Sequence, residues 1–306
     1  MTAAELHPII SIVIPVYNYD CSLLVERLNE QLEALSISGE ILLGDDASAP
    51  RYRRILETLE QKGLCTIYHA EKNIGVGAMR NRLAALAKGT FLLYLDSDTR
   101  PISEDFLRLY IEQRSPEAVV VGGFVYPPTP PSTERMLRYK YGYQVEMQPA
   151  DRREKQPYDR FISMSFLIPK KIKEKVLFHE KGMGYEDALF GYTLQENNIP
   201  IKHIDNPVLH DLKETGKEFL TTTKRYVYNL YCIRHLLKGK GVALLKAYYR
   251  MKRMGLRRLV AFFYKSPFWR EAIEKQLCSP QPQLRLFSFY KLAYLCHLAK
   301  TYNNHK

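Results

Sequence analysis

The sequence predicts an α/β fold with a mostly parallel central sheet, followed by a basic α-helical C-terminal region. Three observations carry this reading. Short apolar runs rich in β-branched residues alternate with amphipathic segments between residues 9 and 211. Each run is too apolar to leave one face in water, so the sheet must be covered on both sides. Polar or acidic residues follow three of the runs, at Pro15 to Asn18, Asp45-Asp46 and Asp96-Ser97-Asp98, and in such a sheet ligands bind beyond the carboxyl ends of the strands. The net charge of +12 is also uneven: residues 1–211 carry −4 and residues 212–306 carry +16.

Taken in order, Ile10 to Ile14 is too short for a helix and ends at Pro15, so it reads as a buried strand. Leu24, Leu28, Leu32 and Leu35 recur at helical spacing behind Ser22, a candidate cap. The pattern repeats with strands at 40–44, 66–69, 91–95 and 118–125 and helices at 52–61, 76–87 and 106–113. Four prolines between Pro127 and Thr133 exclude regular structure there. Dense charge from Arg152 to Arg160 reads as a mobile loop, and strand 161–169, helix 185–196 and strand 201–204 follow.

A hydrophobic content of 46% excludes an intrinsically disordered chain. Five scattered cysteines form no CxxC pair, which points to reduced thiols in a cytoplasmic setting and away from a zinc ribbon or a disulfide framework. Met1 to Pro8 lacks the basic start of a signal peptide, and nowhere do the roughly 20 apolar residues of a membrane span occur together. Gly75-Val-Gly77 begins like a dinucleotide fingerprint but lacks the last glycine and does not follow the first strand, and there is no Walker A sequence.

Asp96 and Asp98 are two residues apart, so on an extended backbone both carboxylates point the same way. Two hard oxygen ligands suit Mg²⁺ or Mn²⁺, which would hold a diphosphate. The same pair also fits a helix-capping turn before Pro101.

The ordered set Ser11-Ile-Val-Ile-Pro-Val-Tyr-Asn18, Glu40-Ile-Leu-Leu-Gly-Asp-Asp-Ala-Ser48, Asn73-Ile-Gly75 with Ala78-Met-Arg-Asn81, Leu95-Asp-Ser-Asp98 and Gly184-Tyr-Glu-Asp187 resembles the family 2 glycosyltransferases with the GT-A fold. The likeness covers about residues 9–211. It implies an inverting transferase that moves a sugar from a nucleotide-diphosphate donor, commonly UDP-linked, to a hydroxyl of a glycan or lipid-linked acceptor in surface polysaccharide synthesis. By the same likeness, Pro15, Val16 and Tyr17 line the nucleotide pocket and Asp46 accepts a hydrogen bond from the base. Asn73 and Arg80 contact the nucleotide sugar, Asp96 approaches the ribose or sugar, and Asp98 binds the divalent metal, Mn²⁺ or Mg²⁺. His210 matches a position where relatives supply a further ligand, Asp187 is the base, and Glu186 binds the acceptor.

Inversion requires a base opposite the leaving diphosphate. Glu186-Asp187 equally fits a helix N-terminus, where carboxylates are favoured, and the two readings coexist. Two departures from the family pattern stand out: Thr99 replaces a frequent third acidic residue, and Ser163-Met-Ser165 replaces a stretch that often holds Asn.

The expected organisation is a catalytic domain at 1–211, with a nucleotide-sugar half at about 9–125 and an acceptor half at about 126–211, then the basic region 212–306. In that region Phe219, Thr223, Tyr226, Leu230 and Leu237 form one apolar face and Leu245, Tyr249, Leu256, Val260 and Phe263 another, beside a stripe of Lys246, Arg250, Arg253 and Arg257. Such a helix suits an anionic membrane interface, which would make the protein peripheral on the cytoplasmic face. It also suits packing on the catalytic domain. The absence of a recognised module argues against nucleic acid. The rival class is a non-catalytic GT-A-like module that recruits glycan or nucleic acid through this basic segment.

Overall fold

Ile10–Val16, with its side chains almost wholly buried, forms the central strand β1. In the computed structural model, which describes residues 9–130, 132–238 and 241–303, nine more strands follow. They are β2 (Gly39–Asp45), β3 (Thr66–His69), β4 (Phe91–Leu95), β5 (Thr99–Pro101), β6 (Val119–Val121), β7 (Phe124–Val125), β8 (Ser165–Pro169), β9 (Ile201–His203) and β10 (Val208–His210). Seven make one sheet in the order β3-β2-β1-β4-β8-β6-β9, and β5-β10-β7 make a second. In the large sheet only β8 runs against the rest, pairing antiparallel with β4 and β6. The sheet is therefore mostly parallel, as its uniformly apolar strands require.

Register sets the site. Val16 lies opposite Asp45, and Asp45 opposite His69, so the carboxyl ends of β1, β2 and β3 share one edge. Helices Ser22–Leu35, Pro50–Gln61 and Val76–Leu86 follow these three strands as crossovers, and Phe106–Gln113 follows β5. Beneath them, Tyr94 of β4 stacks on Phe166 of β8 with ring centroids 4.8 Å apart.

Several expectations are corrected. Ser22 is the first helical residue, not the cap; the Asp20 carboxylate accepts from its N–H and its hydroxyl at 3.0 and 2.6 Å. The run 118–125 is two strands in different sheets, because the chain turns at Gly122-Gly123, with Gly123 at φ +85°. Nor is Arg152 to Arg160 an irregular loop throughout: Ala150–Arg153 is a helical turn, and Arg153 is buried. Its guanidinium donates to the carbonyls of Gln148, Val121, Gly122 and Ile204 and to His203 Nδ1, satisfying backbone groups left open where β6 and β7 part. Strand 161–169 shortens to Ser165–Pro169.

The chain divides into two units. The first comprises 1–125, 148–181 and 193–211; the second comprises 126–147, 182–192 and 212–306. Tyr126–Met147 and Gly182–Tyr192, expected in the acceptor half of the catalytic domain, group instead with the chain beyond 211. Tyr141 packs its ring on Phe219 and Phe287, and Gly184 abuts Tyr226, which ties those segments to the helices beyond 212.

The second unit is helical: Gly216–Ile233, Ala243–Arg253, Arg257–Lys265, Pro267–Leu277 and Leu284–Asn303. Thr215 and Glu218 form a capping box that starts the first of these. The stripe expected on one helix is broken: Ala243–Arg253 carries Lys246, Arg250 and Arg253, the chain turns at Gly255 with φ +72°, and Arg257 opens the next helix. Among the described residues no helix is long and apolar enough to cross a membrane.

Candidate active site

The rim of the first unit is built by loops that leave the carboxyl ends of β1, β2 and β4. After β1 the chain enters the left-handed region at Asn18 (φ 51°), and after β2 at Ala47 (φ 61°). The two turns are tied together, Asn18 N–H donating to Ser48 Oγ at 2.9 Å and Ala49 N–H to Asn18 Oδ1 at 2.7 Å. Asp45, fully buried, accepts from Ser48 N–H and meets Arg53 and His69. These partners hold its carboxyl below the usual range in spite of burial. Asp45 therefore serves the fold of the rim.

Asp46 faces the next loop. Its two carboxylate oxygens accept from Ile74 N–H at 2.6 Å and Gly75 N–H at 2.9 Å, and Asn73 Nδ2 donates to its carbonyl at 3.3 Å. Each carboxylate oxygen retains a further lone pair for a ligand donor. Pro15 is partly exposed and Tyr17 exposes its ring, while Val16 is buried and offers only its backbone, whose carbonyl accepts from Asp46 N–H.

Asp96 and Asp98 take different partners. Arg80, from helix Val76–Leu86, donates through Nη2 to Asp96 Oδ1 at 2.6 Å. The Arg80 side chain is 3% exposed and that of Asp96 30%. Arg80 Nε and Nη1 are buried and have no hydrogen-bond partner among the described residues. A buried cation with unspent donors at the strand ends is chemically ready for an anion. Burial pushes the Asp96 carboxyl up, Arg80 pulls it down, and Asp98 adds to the upward push.

Asp98 pairs with His210 at the end of β10, Nε2 to Oδ2 3.2 Å. Asp98 immediately precedes β5, and His210 pairs with Thr99 across β10 and β5. Sequence reasoning missed two supports. Asp211 N–H donates to Asp98 O at 3.1 Å, and the Asp211 carboxylate accepts from Tyr19 O–H at 2.9 Å. Burial and Asp211 push the Tyr19 phenol up, so it stays a donor. The available signal was position: Asp211 follows His210, and Tyr19 lies in the loop of Tyr17.

The Asp98–His210 pair fits a divalent cation in part. Ligands at about 2.1 Å in neighbouring coordination positions lie about 3 Å apart, close to the observed separation. No group of three or more His, Cys, Asp or Glu residues suited to a metal occurs among the described residues. Asp98 and His210 would thus supply two ligands and leave the other positions to phosphate oxygens and water, as a hard cation permits.

Glu186 and Asp187 begin the helix Glu186–Glu196 in the second unit. Gly182 and Gly184 have φ +82° and +87°, and Tyr185 follows at +64°. A Cβ at Gly182 would lie 2.0 Å from Asn229 Oδ1, and one at Gly184 2.4 Å from the Tyr226 ring. Asn229 Nδ2 donates to Gly184 O at 2.6 Å, so helix Gly216–Ile233 clamps the loop that presents the two acids. Asp187 Oδ1 accepts from Ala188 N–H at 2.7 Å, whereas Glu186 Oε2 is buried with no partner among the described residues. Burial, with Glu214 and Glu186 nearby, pushes the Tyr226 phenol up. The two acids therefore stand in the first turn of helix Glu186–Glu196.

The chain is 30% identical over 118 residues to the undecaprenyl-phosphate 4-deoxy-4-formamido-L-arabinose transferase of Pseudomonas paraeruginosa, which is 37% of this chain and 34% of that protein. It is 36% identical over 109 residues to the poly(ribitol-phosphate) beta-glucosyltransferase of Bacillus spizizenii, 33% of this chain and 16% of that protein. The match therefore spans a minor part of either relative. In fold, the chain superposes on the mannosyltransferase PcManGT of Pyrobaculum calidifontis, in complex with GDP-Man and Mn²⁺, with a TM-score of 0.57 at 12% identity, covering 99% of this chain and 89% of that one. S. aureus TarS 1-349 in complex with UDP-GlcNAc gives 0.50 at 16% identity, covering 97% and 92%. The fold is GT-A. The profile of glycosyl transferase family 2 matches residues 11–177, more than half of the chain, and the chain belongs to that family.

Proposed function

We propose that this glycosyltransferase is inverting and metal-dependent, and that it moves a sugar from a nucleotide-diphosphate donor, most simply UDP-linked, to a hydroxyl of a glycan or lipid-linked acceptor. What supports the reading is the rim of the first unit, where Arg80, reaching from helix Val76–Leu86 to Asp96 with donors unspent among the described residues, and the Asp98–His210 pair both meet the turn after β4. The loop tied by Asp46 takes the nucleotide, with Tyr17 and Asn73 beside it, and Arg80 takes the donor's sugar or phosphate. A divalent cation held by Asp98 and His210 would stabilise charge on the leaving diphosphate.

Asp187 accepts the acceptor hydroxyl proton while that oxygen bonds to the anomeric carbon. The bond from that carbon to the phosphate oxygen breaks, and its electrons leave with the diphosphate. Glu186, with an oxygen unspent among the described residues, binds the acceptor. The +16 charge of residues 212–306 supports a peripheral place on the cytoplasmic face of a membrane.

The test is calorimetric titration of UDP-sugars in Mn²⁺ against wild type and Asp98→Asn. The variant should bind at least about tenfold more weakly in Mn²⁺ and equally in chelator. Unchanged affinity in Mn²⁺ would remove Asp98 and the metal from the mechanism.

A further inference from the structure

The surface helix Arg257–Lys265 turns large apolar side chains outward beside its charged Arg258 and Lys265. Val260 and Ala261 are buried, and Phe263 packs on Phe289 with centroids 5.4 Å apart, which accounts for the inner side. On the outer side Leu259 is 58% and Phe262 52% exposed. The next helix adds Phe268, 71% exposed, and Trp269, 43% exposed. Ring contacts join them, Phe262 to Phe263 at 6.0 Å, Phe263 to Trp269 at 5.7 Å and Trp269 to Phe268 at 5.2 Å. A helix that faces water normally turns charged residues outward, and a joined set of exposed rings marks an interaction surface.

The charge around these rings says what covers them. From Phe219 to Arg270 the sequence contains no Asp or Glu and thirteen Lys and Arg. Lys252, Arg253 and Arg258 are exposed before Phe262, and Lys265 after it. A second copy docking face to face here would set these cations against each other, and Glu271, exposed one turn beyond Phe268, is a single carboxylate against them. An anionic lipid surface offers both things the face needs, an acyl boundary for the rings and phosphates for the cations.

We infer that Leu259, Phe262, Phe268 and Trp269 insert into the interface of an anionic bilayer, with Arg253, Arg258 and Lys265 on the headgroups. The inference rests on the peripheral part of the proposed function and assigns it a face. The helix would lie in the plane of the interface, and Trp269 would sit at headgroup depth, where tryptophan is favoured.

Trp269 is the only tryptophan, so its emission reports this face alone. Full-length protein is titrated with phosphatidylcholine vesicles with and without phosphatidylglycerol, following both co-sedimentation and Trp269 emission. Anionic vesicles should shift the emission to the blue, lipids brominated on the acyl chain should quench it, and neutral vesicles should bind at least about tenfold more weakly. Arg253→Gln/Arg258→Gln should lose about 25-fold, on roughly fivefold per basic residue. Phe262→Ser/Phe268→Ser should lose at least about tenfold. These side chains are exposed, so thermal midpoints and nucleotide-sugar binding should hold in both variants.

Sedimentation with anionic vesicles that leaves Trp269 emission and both variants unaffected would overturn the assigned face while sparing peripheral attachment. No sedimentation at all would overturn both, and donor binding would still judge the transferase reading. Binding to single-stranded DNA in preference to vesicles, with no blue shift, would replace the lipid surface by a nucleic acid.

Discussion

Breaking the Arg80–Asp96 pair from either side should cost unequal amounts. In Asp96→Asn the guanidinium stays, 3% exposed, with Nε and Nη1 already unpartnered among the described residues and a 3.4 Å contact from Nη2 to Ser163 O as its remaining backbone contact. Orphaning a buried charge costs about 3–5 kcal/mol. Relief of the repulsion between Asp96 and Asp98 offsets part of this, leaving about 3 kcal/mol. In Arg80→Met the group left behind is Asp96, whose side chain is 30% exposed and can be hydrated. The loss is then about 1–2 kcal/mol, including the contact of Arg80 over the Phe178 ring at 5.1 Å. At about 2–4 °C per kcal/mol, Asp96→Asn should lower the thermal midpoint without ligand by about 10 °C and Arg80→Met by about 5 °C. The assay is thermal unfolding followed by circular dichroism, with each variant repeated in the presence of nucleotide sugar. A larger loss for Arg80→Met would refute the idea that the buried partner sets the cost.

Asp187→Asn should reduce kcat by about 10²–10⁴-fold while donor affinity, measured calorimetrically, stays at the wild-type value. Gly184→Ala places a β-carbon at φ +87° and 2.4 Å from the Tyr226 ring; it should lower stability by about 2–3 kcal/mol, whereas Gly255→Ala, at φ +72° with open space around it, should lose only about 1–2 kcal/mol in urea titrations. His203 is held below its usual range by burial, accepting from Arg153 through Nδ1 and donating from Nε2 to Pro157 O. Its folded pKa is the lower one, so its stability contribution is present above the unfolded value of about 6.5 and is lost as pH falls through the folded value. His203→Gln should flatten the acid limb of midpoint against pH, and an unchanged slope would exclude His203 as its source.

Much of the fold was legible because buried strands leave a strong mark. Phe91–Leu95 falls where its apolar run places it, since a strand covered on both faces has no polar option; the edge strand Thr66–His69 and the amphipathic helix Phe106–Gln113 also keep the expected bounds. The division of 118–125 was not legible, because Val119, Val120, Val121 and Phe124 are equally apolar. The chain turns between them at Gly122-Gly123, and the buried Arg153 guanidinium, about thirty residues later, holds that turn through the carbonyls of Val121 and Gly122. The break in the basic stripe was hinted at by Gly255 alone.

The candidate site divides the same way. By itself the sequence determined that polar residues end the parallel strands and that a +16 segment follows a −4 one, while its family likeness nominated Asp46, Asp96, Asp98, Glu186 and Asp187 as candidates. These are local facts: residue type, spacing and the direction of a strand follow from the chain within a few positions. Only the tertiary structure decided that Asp98 meets His210, 112 residues away, and that Asp96 meets Arg80. It likewise turned Tyr19 onto Asp211 and left Phe262, Phe268 and Trp269 outside the core. Pairings of that kind depend on strand order and on which face of a helix the core consumes, and both are settled by packing across the whole unit.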